Sequence, residues 1–135
     1  MAIKFHDYSI EVRNAINTRL YAVLEESAGE LESVTKRLSR KDTRQTSNSF
    51  EHKTIAEENI AYIGSNYENA IWEEFGTGEH ALNGDGRKDI PWHYKDAKGK
   101  WHTTTGKKPS RAFWHAYIST KNAIIKHIES ALKGL

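Results

Sequence analysis

A chain of 135 residues with 37% apolar and 28% charged residues suits a modest core, so we expect a single domain over 1–135. No apolar run approaches the ~18–20 residues of a membrane span, and the N-terminus lacks the apolar centre of a signal peptide, so we expect no membrane partner. The absence of cysteine excludes disulfides and thiolate metal sites and indicates a reducing compartment, and a net charge of +2 is low for a dedicated nucleic-acid-binding protein.

The first element is predicted to be a long amphipathic helix. Asp7 or Ser9 can cap it, because either side chain can accept a hydrogen bond from an early backbone N–H. Cations follow the apolar stripe and suit the negative end of the helix dipole. Steps of three and four residues place the stripe on one helix face, at Val12, Ile16, Leu20, Val23, Leu24, Leu31, Val34 and Leu38.

Two strands are predicted after a polar connector at 42–49. They cover 50–56 and 59–65, with the turn near Glu57 and Glu58. Ile60 and Tyr62 lie on one face of the second strand, and we expect that face to be buried.

The middle of the chain is predicted to carry a short helical segment, a loop and a hairpin. Tyr67, Ile71 and Phe75 recur at four-residue spacing, which fits two helical turns. The glycine-rich segment 76–89 is a long loop for so small a domain, and we expect 78–88 to be mobile in the isolated subunit. Alternation in 90–94 and in 101–105, around the turn Asp96-Ala97-Lys98-Gly99, predicts a β-hairpin.

A second long helix is predicted near the C-terminus, with Ser110 as cap and Gly134 at its end. The element order gives an α+β fold: a small antiparallel sheet of about four strands packed against a long N-terminal helix and a C-terminal helix. The periodicity assigns these residues to the core: Val23, Leu24, Leu31, Ile60, Tyr62, Ile71, Phe75, Trp92, Phe113, Tyr117, Ile124 and Ile128.

The sequence contains no recognisable catalytic set, so we expect no enzymatic activity, no metal and no cofactor. His93 and His102 lie on neighbouring hairpin strands, where with Asp85 or Asp89 they could bind a divalent ion, but exposed unligated histidines are the simpler interpretation. Glu73 and Glu74 are adjacent and point in different directions on regular structure, so they make a poor acid–base pair.

The segment from Glu79 to Arg111 is basic. Its eight lysines and arginines exceed its four aspartates and glutamates by four. A solvated hairpin and loop would explain this excess, and so would a surface that meets phosphate or an acidic partner.

The sequence Tyr67-Glu-Asn-Ala-Ile-Trp-Glu-Glu-Phe-Gly-Thr-Gly78 resembles the Tyr-Ala-x-Tyr-Val-Glu-Phe-Gly-Thr signature of a family of siphophage neck proteins, the tail-completion or tail-terminator proteins that join head and tail. The hairpin from Pro91 to Trp101 is similar to the family's, and so is the lead-in Lys107-x-Pro109 to the last helix. An Asp-Thr pair, Asp42 and Thr43, also follows the first helix as in the family. The resemblance covers roughly residues 10–132.

The resemblance implies a structural virion protein, assembled in the bacterial host cytoplasm and placed at the neck or tail end. Its expected partners are further copies in a hexameric ring, the tail tube protein and a head-completion or connector protein, with DNA passing through the lumen. The signature residues are Tyr67, Ile71, Glu74, Phe75, Gly76, Thr77, Trp92 and Trp101. The candidate interface residues are Gly78, Glu79, His80, Arg87, Lys88, Lys95, Lys98 and Lys100.

Two other function classes stay open from the sequence. A nucleic-acid-binding domain would use Trp92, Trp101 and the hairpin cations, since aromatics beside lysines stack bases in single-strand binders. A small hydrolase or nuclease would use His93 and His102, and would require metal-dependent turnover. Salt-dependent DNA binding and metal-dependent turnover would separate these hypotheses from a structural role.

Overall fold

The fold was obtained as a computed structural model that describes residues 3–41 and 44–133. Asp42, Thr43 and Gly134, which the sequence analysis singled out, lie outside the described residues. The architecture is α+β, with a long N-terminal helix and a long C-terminal helix, as predicted. The elements in order are α1 (Ser9–Leu38), α2 (Gln45–Ser49), β1 (Phe50–Ile55), β2 (Ile60–Ser65), α3 (Asn69–Phe75), a 3-10 turn (Gly78–His80), β3 (Trp92–Lys95), β4 (Trp101–Thr104) and α4 (Ala112–Lys133).

The prediction of one sheet of about four strands is wrong. The described strands form two separate antiparallel pairs, β1 with β2 and β3 with β4. In the first pair Phe50 lies opposite Ser65, and in the second Trp92 lies opposite Thr104. Each pair is closed by a short local turn, whereas α3 and the glycine-rich loop separate the two pairs in sequence. Alternating residues reveal strands but do not determine which strands share a sheet.

The core lies where α1 crosses α4 beneath the β1–β2 hairpin. Leu31, Val34 and Ala116 form its centre, and Ile63 and Ile124 pack against it. Thr35 is fully buried because its hydroxyl donates to the Leu31 carbonyl oxygen at 2.7 Å, which satisfies the polar atom within the helix.

The predicted core is only partly correct. Val23 and Leu31 are buried, while Leu24, Trp92, Phe113, Ile124 and Ile128 are half-buried. The assignment was wrong for five residues, which are exposed: Ile60, Tyr62, Ile71, Phe75 and Tyr117.

The error in β2 has a simple cause, which is the choice of face. The burial pattern along β2 alternates so that Ala61 and Ile63 face the helices and Ile60 and Tyr62 face solvent. Both faces of this strand carry apolar residues, so the period of two identifies the strand but leaves its buried side undetermined.

The helix ends differ slightly from the predictions. Asp7 accepts a hydrogen bond from the Ser9 backbone N–H at 2.9 Å, so Asp7 rather than Ser9 supplies the acceptor at the start of α1. Part of the predicted connector forms the short helix α2 instead. None of the helices in the described part of the chain combines the length and apolar character that crossing a membrane requires.

Candidate functional site

Glu74 of the signature segment caps a helix that is distant in sequence. Its two carboxylate oxygens accept hydrogen bonds from the backbone N–H groups of Phe113 and Trp114, both at 3.0 Å. These donors belong to the first turn of α4, which has no intrahelical acceptors for them. Ser110 contributes a longer hydrogen bond of 3.4 Å to the Ala112 N–H, so the predicted Ser110 cap is secondary to Glu74.

Glu73 points the opposite way, and its buried carboxylate meets two cations whose side chains are exposed. Its carboxylate pairs with Arg40 at 3.4 Å and with Lys107. Arg40 also donates to the Lys108 carbonyl oxygen at 2.8 Å, which ties the end of α1 to the segment that follows β4. The two adjacent glutamates therefore hold together three parts of the chain.

The sequence analysis missed the partners of Glu73. From the sequence, the cations that follow the apolar stripe of α1, Arg40 among them, are assigned only to the helix dipole, and Lys107 is counted only within the basic segment from Glu79 to Arg111. The available signal was the pair of acidic residues between Trp72 and Phe75, because a carboxylate beside core-type aromatic residues is rarely buried without a cation. Which cations it meets depends on the tertiary fold.

The next signature residues shape the exit from α3. Phe75 lies under the guanidinium of Arg111, at 5.3 Å from the ring centroid, and Arg111 also approaches Glu74 at 3.7 Å. Gly76 ends α3 with a φ of +79°, and a Cβ at this position would overlap backbone at His80 and Lys107. Glycine is therefore required at this position for both conformation and space.

The glycine-rich loop packs against the base of the hairpin through its glycines. A Cβ at Gly78 would overlap the Thr105 carbonyl oxygen, one at Gly86 the Gly78 carbonyl oxygen, and one at Gly106 the Thr77 carbonyl oxygen. Backbone hydrogen bonds from Thr77 to Lys107 and from Glu79 to Thr105 close the same contact. These contacts favour an ordered first half of the loop, so within the segment 78–88 we expect the greatest mobility at 87–88.

The hairpin turn is organised by Asp96. Its carboxylate accepts hydrogen bonds from the backbone N–H groups of Lys98 and Lys100 at 2.9 and 2.8 Å, and its second oxygen lies 2.7 Å from His102 Nε2. The hydrogen bond to His102, followed by those from Lys100 and Lys98, holds the pKa of Asp96 below its usual value. The turn thus fixes the backbone from which the lysine side chains project.

The two hairpin histidines lie on opposite faces. His93 pairs in register with Thr103, and His102 pairs with Tyr94, so the two rings point to different sides of the ribbon. His93 Nδ1 lies 2.8 Å from the Thr103 hydroxyl, and His102 stacks on Tyr94. Within residues 3–41 and 44–133 no group of three histidine or acidic side chains is placed to hold a metal ion. His93 and His102 therefore do not face one another across the hairpin.

The structure places most of the candidate interface residues on the surface. Glu79, Arg87, Lys88, Lys95, Lys98 and Lys100 are exposed, and His80 is half-buried. Gly78 is buried against the hairpin base, so it shapes the loop and presents nothing to a partner.

Some of the surface groups have partners within the subunit. Lys88 donates to the Gly84 carbonyl oxygen at 2.7 Å, and Arg87 lies over the Trp92 ring at 5.2 Å.

The remaining signature residues divide between packing and exposure. Tyr67 donates from its hydroxyl to Gln45 at 2.8 Å and so links α3 to α2. Thr77 accepts from the Lys107 N–H at 2.8 Å. Ile71 and Trp101 are exposed, at 52% and 66%. Neither side chain is buried within the subunit, so packing inside the subunit does not explain why these two positions are apolar.

A cleft of about 570 Å³ lies between α3, the loop and the hairpin. Trp72, Trp92 and Tyr94 give it aromatic walls, while Arg87 and Asp85 stand at its loop side. Its size is in the range of ligand sites, yet the described residues along it include no nucleophile paired with a base. The cleft thus combines aromatic walls with a charged side.

A further polar cluster, which the sequence analysis also missed, joins β1 to α1. His52 Nε2 lies 2.7 Å from Glu25 and its Nδ1 lies 3.3 Å from Glu32, while the Thr54 hydroxyl donates to Glu25 at 2.6 Å. The hydrogen bond to Glu25 raises the pKa of His52, against the opposing effect of burial. The hydrogen bond from Thr54, and then that from His52, lowers the pKa of Glu25.

Comparison of the chain with family models, with curated proteins and with solved structures finds no match.

Proposed function

We propose that this protein is a structural subunit of a phage neck or tail end, which assembles into a ring that caps the tail tube and joins tail to head. The observation that carries the proposal is the size of its surface. The subunit exposes 10048 Å² for a mass of 15.4 kDa. A compact monomer of this mass is expected to expose about 7,200 Å².

The excess surface matches the needs of a closed ring. Each ring subunit has two neighbours and meets them through two different patches. Half of the excess is about 1,400 Å² for each neighbour, which lies within the range of obligate interfaces, roughly 1,000–2,500 Å² per partner.

The amino-acid composition of the exposed surface also supports assembly into a ring. Among the described residues, 21 large apolar side chains are exposed, whereas eight apolar residues are buried and four of those are alanine. Isolated exposed apolar residues are normal, but an excess on this scale is typical of protein–protein contact surfaces. In a ring, the interfaces between subunits would bury apolar side chains that stay exposed in the monomer.

The hairpin provides a second, charged element. Lys95, Lys98 and Lys100 are exposed around a turn that Asp96 holds in shape. In a ring around DNA, cations on such a projection would lower the electrostatic cost of phosphate in the lumen. The resemblance of residues 67–78 to phage neck proteins supplies the rest of the proposal: a hexamer, a tail tube partner and a head-completion or connector partner.

Native mass spectrometry and negative-stain electron microscopy of the purified chain test the assembly directly. We expect a closed ring with one rotational axis at micromolar concentration. A protein that stays monomeric, both alone and when mixed with tail tubes, would overturn the proposal.

The hairpin is tested by replacing Lys95, Lys98 and Lys100 together with Glu. The circular dichroism spectrum should stay that of the wild type, because these side chains bury little surface. Complementation of a phage that lacks this gene should fail, since the ring or the head–tail joint is disrupted.

The matched control reverses three exposed lysines elsewhere, Lys53, Lys126 and Lys133. This variant should complement better than the hairpin variant. Wild-type titres from a folded hairpin variant would remove the hairpin from the interface.

A nucleic-acid-binding domain is the second candidate, and it is favoured by the exposure of Trp101 beside the hairpin lysines. Base stacking on one aromatic contributes ~1–3 kcal/mol, so Trp101→Ala should weaken single-stranded DNA binding by roughly 5- to 150-fold. Fluorescence anisotropy at several salt concentrations provides the test, because phosphate contacts give a steep salt dependence. Binding that is weak and independent of Trp101 would exclude this function.

A further inference from the structure

The first three turns of α1 extend beyond the helix that covers the rest of it. α1 and α4 run antiparallel: Glu26 meets His127 at 3.2 Å, and Arg19 donates to the Ala131 carbonyl oxygen at 3.3 Å. The described end of α4 is therefore level with Arg19, and every residue from 3 to 19 is exposed. The apolar stripe nevertheless continues into this region at Ile10, Val12 and Ile16.

The six residues before α1 extend this uncovered region. Ile3 and Phe5 alternate with Lys4 and His6, a period of two that suits an extended segment with one apolar side. Phe5 is 93% exposed, the highest value among the exposed large apolar side chains of the described chain. We call residues 3–19 the N-terminal projection.

An apolar groove lies further along the same helix. It has a volume of about 280 Å³ and is formed by α1, β2 and α4, with Leu24, Ile63, Ile124 and Ile128 among its walls. A cavity of ~150 Å³ admits benzene, so this groove has room for two side chains of that size. We call it the α1–α4 groove.

One polar atom in the groove lacks a partner. Ser27 is 6% exposed and lines the groove, and its hydroxyl makes no hydrogen bond within the described chain. Leaving a buried hydroxyl unpaired is costly, which is why such groups usually have a protein or water partner. The groove therefore suits an occupant that brings apolar side chains together with a backbone N–H or C=O.

The projection cannot fill the groove of its own subunit. Phe5 is four residues from Ser9, and an extended chain of that length spans about 14 Å. Leu24 lies fifteen residues along the helix from Ser9, which is about 22 Å at 1.5 Å per residue. The nearest wall of the groove is thus out of reach, while the groove of another copy is subject to no such limit.

We propose that the N-terminal projection of one subunit docks into the α1–α4 groove of its neighbour, with Phe5 between Leu24 and Ile124 and the adjacent backbone hydrogen-bonded to Ser27. The inference rests on the proposed ring, and it identifies one of the two patches by which ring neighbours meet. A projection on one copy and a groove on the next form a heterologous contact, the type that generates rings.

Disulfide cross-linking tests this contact cleanly, because the chain has no cysteine of its own. Two full-length variants, Phe5→Cys and Ile124→Cys, are purified separately, mixed and oxidised. We expect a cross-linked heterodimer on a non-reducing gel. The matched control pairs Phe5→Cys with Glu57→Cys, at the exposed β1–β2 turn, and should give no such band.

The affinity of the contact is tested by Phe5→Ser, with His6→Ser on the other side of the segment as its control. Loss of a buried phenylalanine corresponds to at least about tenfold weaker assembly at each contact. His6→Ser should change assembly less than twofold.

The outcomes distinguish the two proposals. A wild type that forms rings without the Phe5–Ile124 cross-link, or with no effect of Phe5→Ser, overturns the docking inference and leaves the ring. A wild type that stays monomeric overturns the proposed function itself. Cross-linking only to tail tube protein, with none between copies, would also overturn the docking inference.

Discussion

The Glu74 cap makes the sharpest stability prediction, since one side chain supplies acceptors for two backbone donors of α4. Its carboxylate is mostly buried, and both hydrogen bonds measure 3.0 Å. We expect Glu74→Ala to destabilise the subunit, because Phe113 and Trp114 would keep their N–H groups without an acceptor.

The expected loss of unfolding free energy follows from the two hydrogen bonds that Glu74 accepts and from the charge of its carboxylate. Loss of a helix cap costs about 0.5–2 kcal/mol, and a hydrogen bond to a charged group contributes about 1.5–3 kcal/mol. Some water will reach the freed donors, so we expect a loss of about 2–4 kcal/mol. Glu74→Gln keeps one acceptor oxygen and should lose roughly half as much.

Chemical denaturation followed by far-ultraviolet circular dichroism measures this loss, with all variants at the same protein concentration because assembly adds to apparent stability. Glu129→Ala is the control, since it removes the same charge from an exposed position on α4. A Glu74→Ala variant within ~0.5 kcal/mol of that control would refute the capping argument, because surface changes without a structural role fall in this range.

Three further predictions concern the loop and the histidine cluster. Gly78→Ala should destabilise the protein by clearly more than Gly84→Ala. At both positions φ is positive, which costs alanine ~1 kcal/mol, but only at Gly78 would the added Cβ also overlap the backbone. Comparing the thermal unfolding of the two variants therefore separates the cost of the backbone conformation from the cost of the steric overlap. Folding raises the pKa of His52, so the stabilisation that its protonated form provides is complete below the unfolded pKa of about 6.5 and is lost as the pH rises through the folded pKa. The difference in unfolding free energy between wild type and His52→Ala should therefore shrink over that pH range. Urea titrations that give the same difference at every pH would contradict this. Amide exchange should be slower at 79–84 than at 87–89, and equal rates would contradict the glycine packing.

Local features of this fold were accessible from the sequence because they depend on neighbouring residues. The stripe from Val12 to Leu38 located α1, and the Asp96–Gly99 turn located the second hairpin. In both cases the periodicity or turn chemistry lies within a few residues of the element that it specifies.

Long-range features were not accessible. The apolar content of both faces of β2 concealed which side packs on α1, and nothing near β3 indicates that it stays apart from β2. The roles of Glu73 and Glu74 depend on Arg40, Lys107 and the start of α4, which only the folded chain brings together. The positions of these residues in the sequence do not indicate which of them meet in the folded chain.

The pairing of α1 with α4 has a consequence for synthesis on the ribosome. All of the β-structure lies between these two helices in sequence, so Leu31 and Val34 have no cover from Ala116 and Ile124 until α4 has left the exit tunnel. Until then the side of α1 that α4 covers stays exposed, and apolar surface exposed in this way is what chaperones recognise. The docking proposed above would have to wait as well, because α4 supplies one wall of the groove. In the proposed ring, a neighbouring subunit would therefore engage the groove only after α4 has been translated and the core has formed.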